Sequence, residues 1–341
     1  MSPTLSVIVP AYNARPVIGG CLRSVLSGCG EGVEVVVVDD GSADGTAEAC
    51  REFGDPRVRV LSQSNAGVSA ARNLGLDAAS GDLVMFVDAD DELAPGWFSV
   101  VGPHLSAGED VTVFMGGLER ERYDVDELVW SIVGADPRRR EKPGRMPMKW
   151  ASSPFSRTYS RRFLKTGGMR FDTRLINGED ALFNLVAFLS TGRVRFVGKS
   201  IYRYRIHASS ATHTFDSRFF ASNEAYLACL AELLRDSGRY SESEVSALVD
   251  FSFCRSVEIM ALRAAWAGNG AARRLAVAAV NADPLVRARM AAGADTGANP
   301  LHERAVYALA RAGRLDVAVV LLRAALAAKG RKSEQERWVN I

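Results

Sequence analysis

The sequence has too little cysteine, in the wrong arrangement, for a fold held by disulfides or zinc. Its five cysteines, at positions 21, 29, 50, 229 and 254, are odd in number and form no CxxC pair. That pattern predicts reduced thiols in a cytoplasmic protein. Charge of one sign is also missing: a formal net charge of +2 gives no global case for a nucleic-acid partner. No run reaches the roughly twenty apolar residues that a membrane-crossing helix needs. The nearest, "LDVAVVLLRAALAA", is short and carries Arg323. The start, "MSPTLSVIVPAYNARP", has no basic n-region and no long apolar stretch, so it does not read as a signal peptide. A soluble, cytoplasmic chain is expected, with contact to a membrane surface left open. Neither GxGxxG nor GxxxxGK[ST] follows the first strand, which runs instead into "PAYNARPVIGG". Dinucleotide-binding and phosphate-loop schemes are therefore excluded. There is no internal repeat and no low-complexity tract.

What is present is a chain of 341 residues, 48% of them apolar, enough for a sizeable core in one large domain with an appendage, or in two domains. The first hundred residues alternate strand and helix signals. "LSVIVPAY", "VEVVVVDD", "RVRVLSQ" and "LVMFVD" read as strands. Helices are expected between them, over about Val17 to Ser27, Ala43 to Phe53 and "GVSAARNLGLDAA". Such alternation predicts right-handed βαβ units and a mostly parallel sheet flanked by helices. From about Ala107 to Gly178 the pattern blurs: "EDVTVFMGG" reads as a strand and "DPRRREKPGR" as a polar loop. "GEDALFNLVAFLS" restarts a helix with Leu182, Phe183, Val186 and Leu189 on one stripe, followed by strands at "RVRFV" and "SIYRYRIH". After about Asp216 the chain reads as amphipathic helices. Ser241 and Glu244 form a capping box, Asn299-Pro300 opens a helix, and Gly238, Gly313 and Gly330 mark stops. The expected division is an α/β domain over 1–215 and a helical region over 216–341, serving acceptor binding or homo-oligomer formation.

Ligands of parallel sheets bind beyond the carboxyl ends of the strands, and the acidic stretches fall there. "FVDADDEL" places Asp88, Asp90, Asp91 and Glu92 at a strand exit, where they repel one another unless water, basic groups or a cation intervene. A solvated turn and a cation site are both open at this level. In "VVVVDDGSADGT", a carboxylate beside a Gly-Ser turn can accept from an imide N–H, or Asp40 and Ser42 can satisfy a local turn. Arg72, on a helix of small residues, can face a base or a diphosphate, or can be a surface arginine. Glu179-Asp180 at a helix start can offset the helix dipole or supply a general base. Arg205, His207 and Ser210 in "YRYRIHASSATH" have the spacing to surround a phosphate or metal, or to lie in a solvated loop.

Taken in order, "SVIVPAYNA", "VVVVDDGSADGT", "NAGVSAARNLGL", "GDLVMFVDADDEL" and "GEDALFN" resemble the family-two glycosyltransferases, inverting enzymes of the GT-A fold, over roughly residues 4 to 210. The resemblance implies a GT-A domain and roles for these residues. Pro10 and Tyr12 would floor the nucleotide pocket, with Asn13 and Asn65 in the same site. Asp40, with Asp39 beside it, would read the base, and Arg72 would contact uracil or phosphate. Asp88-Ala89-Asp90 matches the DxD motif that meets Mg²⁺ or Mn²⁺ on the diphosphate, with Asp91 joining through water. Asp180 matches the catalytic base, with Glu179 as its neighbour. Arg205, His207 and Ser210 fit a loop closing on the pyrophosphate, His207 also as a metal ligand. The donor implied is a UDP-sugar. The layout is similar to that of bacterial enzymes that decorate cell-wall or capsular polymers, polyol-phosphate polymers included, and the basic "PRRREKPGR" loop suits an anionic acceptor. A nucleotidyltransferase would need a basic glycine-rich first loop, where this chain offers only Arg15. A non-catalytic nucleotide-sugar binder need not keep both the DxD and the ED acids, and a hydrolase would use water as acceptor.

Overall fold

The computed structural model describes residues 4–118, 120–133, 151–206, 218–266, 270–294, 301–330 and 337–341. Seven strands form the main sheet: β1 (Leu5–Ala11), β2 (Val33–Asp39), β3 (Val58–Ser62), β4 (Leu83–Phe86), β6 (Val111–Phe114), β7 (Arg157–Ser160) and β8 (Val194–Val197). Their order is β3-β2-β1-β4-β7-β6-β8. The strands from β3 through β4 are parallel, whereas β7 runs antiparallel between β4 and β6. A second, three-stranded sheet joins β5 (Glu92–Leu93), β9 (Tyr202–Ile206) and β10 (Arg337–Asn340) in the order β10-β9-β5.

Helices α1 (Ile18–Leu26), α2 (Thr46–Glu52) and α3 (Val68–Ala78) are the expected crossovers. The α1 face explains its formation: Ile18, Cys21, Leu22 and Val25 recur at helical spacing and are all buried. Strands β1 and β2 are covered on both faces, which suits their unbroken β-branched runs. The blurred middle holds α4 (Trp97–Val101), α5 (Val125–Val133) and α6 (Arg161–Thr166), together with β7. Neither α5 nor β7 was expected. The basic loop 137–145 lies outside the described residues.

Helix α7 (Glu179–Leu189) forms where expected, but its buried face differs. Ala181, Phe183, Asn184, Leu185, Ala187 and Phe188 are buried, while Leu182, Val186 and Leu189 are half-buried. The reason is that α7 is packed on more than one side, against α5 and against α8 (Phe219–Asp236). Phe183 sits in an aromatic cluster, stacked on Phe171 at 4.1 Å and edge-on to Phe86 at 6.0 Å. Such ring pairs add about 0.5–1.5 kcal/mol each beyond simple burial.

The helical region continues through α9 (Glu242–Trp266), α10 (Gly270–Ala282), α11 (Pro284–Ala292), α12 (Leu301–Arg311) and α13 (Leu315–Gly330). The capping box forms as expected: the Ser241 N–H donates to Glu244 Oε2 at 2.9 Å, and the Glu244 N–H donates back to Ser241 Oγ at 3.4 Å. No described helix is long and apolar enough to cross a membrane. The expected boundary near residue 215, like the Asn299-Pro300 helix start, lies outside the described residues. The helical region is nonetheless no detached appendage. One buried apolar cluster runs from Leu5 to Ile341, and β10 brings the chain end back onto β9, with Trp338 opposite Arg205.

Candidate active site

Because β1 to β4 are parallel, their carboxyl ends share one edge of the sheet, with Asp39 in register with Ala11 and with Ser62. Two loops leave this edge side by side. The Asn13 N–H donates to Ser42 Oγ at 2.9 Å, and Asn13 Oδ1 accepts from the Ala43 N–H at 3.0 Å. Gly41 has a φ of +74°, and a Cβ there would meet the Asn65 nitrogen at 2.8 Å, so only glycine lets the loops approach this closely. Pro10 is buried in β1 opposite Val38, Asn65 is exposed, and Tyr12 is 55% exposed at the loop tip.

The adjacent acids Asp39 and Asp40 are both buried but differ in their partners. Asp40 Oδ1 accepts from Gln63 Nε2 at 2.7 Å and from the Ala66 N–H at 2.8 Å, and Oδ2 accepts from the Gly67 N–H at 2.9 Å. Three protein donors hold Asp40 against the 63–67 loop and leave its carboxylate about one further acceptor position. Asp39 Oδ1 has no hydrogen-bond partner among the described residues.

For Arg72 the surface-arginine alternative is excluded. Only 3% exposed, it turns its guanidinium to protein acids and lays it 5.1 Å from the Phe171 ring centre. Nη1 donates to Asp180 Oδ1 at 2.6 Å and lies 3.8 Å from Glu179 Oε1, while Nη2 donates to Asp88 Oδ1 at 3.1 Å. These hydrogen bonds use two of the five guanidinium N–H groups, and Nε has no hydrogen-bond partner among the described residues. Arg72 thus ties the ED pair to the first acid of the DxD motif across the site.

At the exit of β4 the acids again divide. Asp91 is 1% exposed and accepts from Tyr202 Oη at 2.7 Å and from the Arg205 N–H at 2.8 Å. The same Tyr202 oxygen accepts from the Asp88 N–H at 3.1 Å. Asp91 therefore pins β9 to the DxD turn. Asp88 and Asp90 stay half-buried and Ala89 is buried. The Arg205 guanidinium lies 5.7 Å from the Trp338 ring. His207 and Ser210 lie outside the described residues. Among the described residues, Asp88 and Asp90 belong to no cluster of three ligand-type side chains; one such cluster joins Glu258 to His302 and Glu303. Two half-exposed oxygen donors fit a Mg²⁺ or Mn²⁺ that takes its other ligands from water and phosphate.

Gly178 presents the ED pair. Its φ is +86°, and a Cβ there would meet the Tyr226 ring at 2.7 Å, so the turn into α7 needs glycine and is pressed on by α8. Burial is the largest influence on Asp180 and pushes its pKa up to about 8 against the pull of Arg72, with Glu179 and Asp88 crowding it further upward. Burial raises Glu179 as well. Behind Asp180 lies a buried polar group: Tyr159 Oη donates to Asn184 Oδ1 at 2.7 Å, and Arg157 is fully buried beside them.

An open cleft of about 760 Å³ brings Tyr12, Glu179 and Asp180 together with Arg218 and with α9 residues Ser252, Arg255, Ser256, Ile259 and Arg263. The sequence reading missed this wall. Its signal, residues at spacings of three, one, three and four, is present but does not differ from that of any packed helix face.

The sequence model described as glycosyl transferase family 2 matches residues 6–173. Glycosyltransferase GlyA of Streptococcus pneumoniae serotype 4 is 31% identical over 230 residues, covering 63% of this chain and 32% of its own. The uncharacterized glycosyltransferase EpsJ of Bacillus subtilis is 30% identical over 224 residues, covering 62% of this chain and 64% of its own. The chain thus spans less than two thirds of either relative. Among solved structures, S. aureus TarS residues 1–349 in complex with UDP-GlcNAc matches with a TM-score of 0.56 at 21% identity, over 96% of this chain and 92% of that one.

Proposed function

The chain belongs to glycosyl transferase family 2, and from that premise we propose that it moves a sugar from a UDP-sugar to an acceptor hydroxyl with inversion at the sugar carbon. The observation that carries this reading is the Arg72 bridge. It holds Asp180 at the cleft and Asp88 at the strand exit on the two nitrogens of one guanidinium. Asp180, kept above the usual carboxylate range, is suited to take a proton near neutral pH. It removes the proton of the acceptor hydroxyl as that oxygen attacks the sugar C1 and the bond to the diphosphate breaks. Glu179 and Arg72 fix its orientation.

Asp88 and Asp90 hold Mg²⁺ or Mn²⁺ with the diphosphate in this proposal. The cation's contribution is to neutralise the charge that develops on the leaving group. Asp40, with Asp39 beside it, reads the base in this proposal: a carboxylate at the β2 exit can accept the uracil imide N–H, a donor that cytosine lacks. A UDP donor is also consistent with the fold neighbour TarS, solved with UDP and with UDP-GlcNAc. Pro10, Tyr12, Asn13 and Asn65 line the nucleotide side in this proposal, with Arg205 near the diphosphate. The acceptor is a hydroxyl of a surface glycan or polyol-phosphate polymer.

The test is thermal stability with UDP, GDP, dTDP and CDP, each with Mn²⁺ and with EDTA. A ligand at a hundred times its Kd adds about 2.7 kcal/mol. UDP is expected to raise the melting temperature most, and EDTA to remove the rise. No shift with any nucleotide would contradict the proposal.

A further inference from the structure

The wall facing Asp180 is built by one face of α9, with Ser252, Arg255, Ser256, Ile259 and Arg263 at helical spacing. That face carries two arginines and no acid, and Arg218, just ahead of α8, adds a third cation to the same cleft. Across the cleft the acids Glu179 and Asp180 share the single cation Arg72 with Asp88. The α9 side of the cleft therefore carries only positive charge among its lining residues.

Arg263 is the fixed member, only 8% exposed. Its Nη2 donates to Asn177 Oδ1 at 3.3 Å, and its guanidinium lies 4.7 Å from the Phe219 ring. Arg255 is different. It is exposed, and it forms no hydrogen bond or ion pair with any described residue. The carboxylate that could hold it, Glu258 three residues on, is instead 3.4 Å from His302 Nε2. All three cations are arginines, whose planar forks match the paired oxygens of phosphates and carboxylates.

We propose that Arg255, flanked by Arg218 and Arg263, binds an anionic group of the acceptor, a phosphodiester or a carboxylate, beside the hydroxyl presented to Asp180. This rests on the reading of Asp180 as the base of a glycosyl transfer. It gives the helical region a task in acceptor selection, through charge that the catalytic chemistry does not use.

The experiment measures binding of three labelled oligomers to the full chain: poly(glycerol phosphate), polygalacturonate and neutral dextran. At least one anionic oligomer is expected to bind at least about tenfold more tightly than dextran at low salt, with the advantage shrinking as salt screens it. The two anionic arms distinguish phosphodiester from carboxylate. Arg255→Glu removes the advantage and Arg255→Gln reduces it; the site of change is exposed, so folding is retained. Arg51→Glu, a charge reversal on α2, leaves it intact. Equal binding of all three oligomers, failure of both anionic ones to bind, or full anionic binding by Arg255→Glu would overturn the proposal. The UDP-induced melting shift, read on the same samples, keeps the two readings apart. Its presence alongside any of those outcomes sinks the acceptor site alone, and its absence sinks the transferase reading.

Discussion

The strand exits of the parallel sheet and the helical wall across the cleft handle charge in opposite ways. At the exits of β2 and β4, acids stand next to each other and their tasks part. Asp40 and Asp91 turn onto protein donors and fasten loops, while Asp39 keeps a buried oxygen with no hydrogen-bond partner among the described residues and Asp90 stays half-exposed. On α9 the charged residues sit at helical spacing and face the same cleft together. Side chains alternate across a strand and recur every three or four residues on a helix. Neighbouring acids at a strand exit are thus forced into different environments, whereas helix residues eight apart share one.

Removing the cation that joins both sides should have the largest effect. Arg72→Met leaves Asp180, Glu179 and Asp88 without their common partner. Breaking a buried ion pair costs about 3–5 kcal/mol. Asp88 and Asp180 each keep 30% exposure, so water offsets part, and a loss of roughly 2 kcal/mol is expected by denaturant titration. UDP release from a UDP-sugar should fall by at least about a hundredfold.

The adjacent pair in β2 gives the sharper contrast. Asp40→Ala strands three donors of the 63–67 loop and should cost about 2–4 kcal/mol in unfolding measurements. Asp39→Asn strands no donor at Oδ1 and should cost only about 1 kcal/mol while weakening UDP binding roughly tenfold. If the two variants behaved alike, the division of labour would be lost.

The smallest effect is on pH dependence. A base works only when ionised, so a pKa raised towards about 8 on Asp180 moves the acid limb of the rate profile upward. UDP release should still be climbing between about pH 6 and pH 8, where an ordinary aspartate near 3.9 would be fully ionised. A rate flat over that range would show that the carboxyl is not held up.

Much of this was legible from residues alone. The βαβ half was readable because buried parallel strands and amphipathic crossovers have different periods, as in "VEVVVVDD" against Ile18, Cys21, Leu22 and Val25. Which acid of a pair faces a ligand was not, because it depends on Gln63, Ala66, Tyr202 and Arg205, brought in from other elements. The acids that Arg72 meets were not legible for the same reason: Asp180 lies 108 residues away in sequence. Strand β7 was missed because "RTYS" is only four residues long, too short for a period to show. The cleft wall on α9 was unreadable because a ligand-facing stripe and a packed stripe have the same spacing.

The most direct measurement of the central claim is Asp180→Asn, with UDP release and the UDP-induced melting shift recorded on the same sample. Asparagine keeps an oxygen that can accept from Arg72 Nη1, so the site's geometry is largely retained while its proton acceptor is removed. The account predicts an undiminished melting shift with UDP release reduced by at least about a hundredfold. UDP release at the unsubstituted rate would contradict it, and the base would have to be sought elsewhere in the cleft.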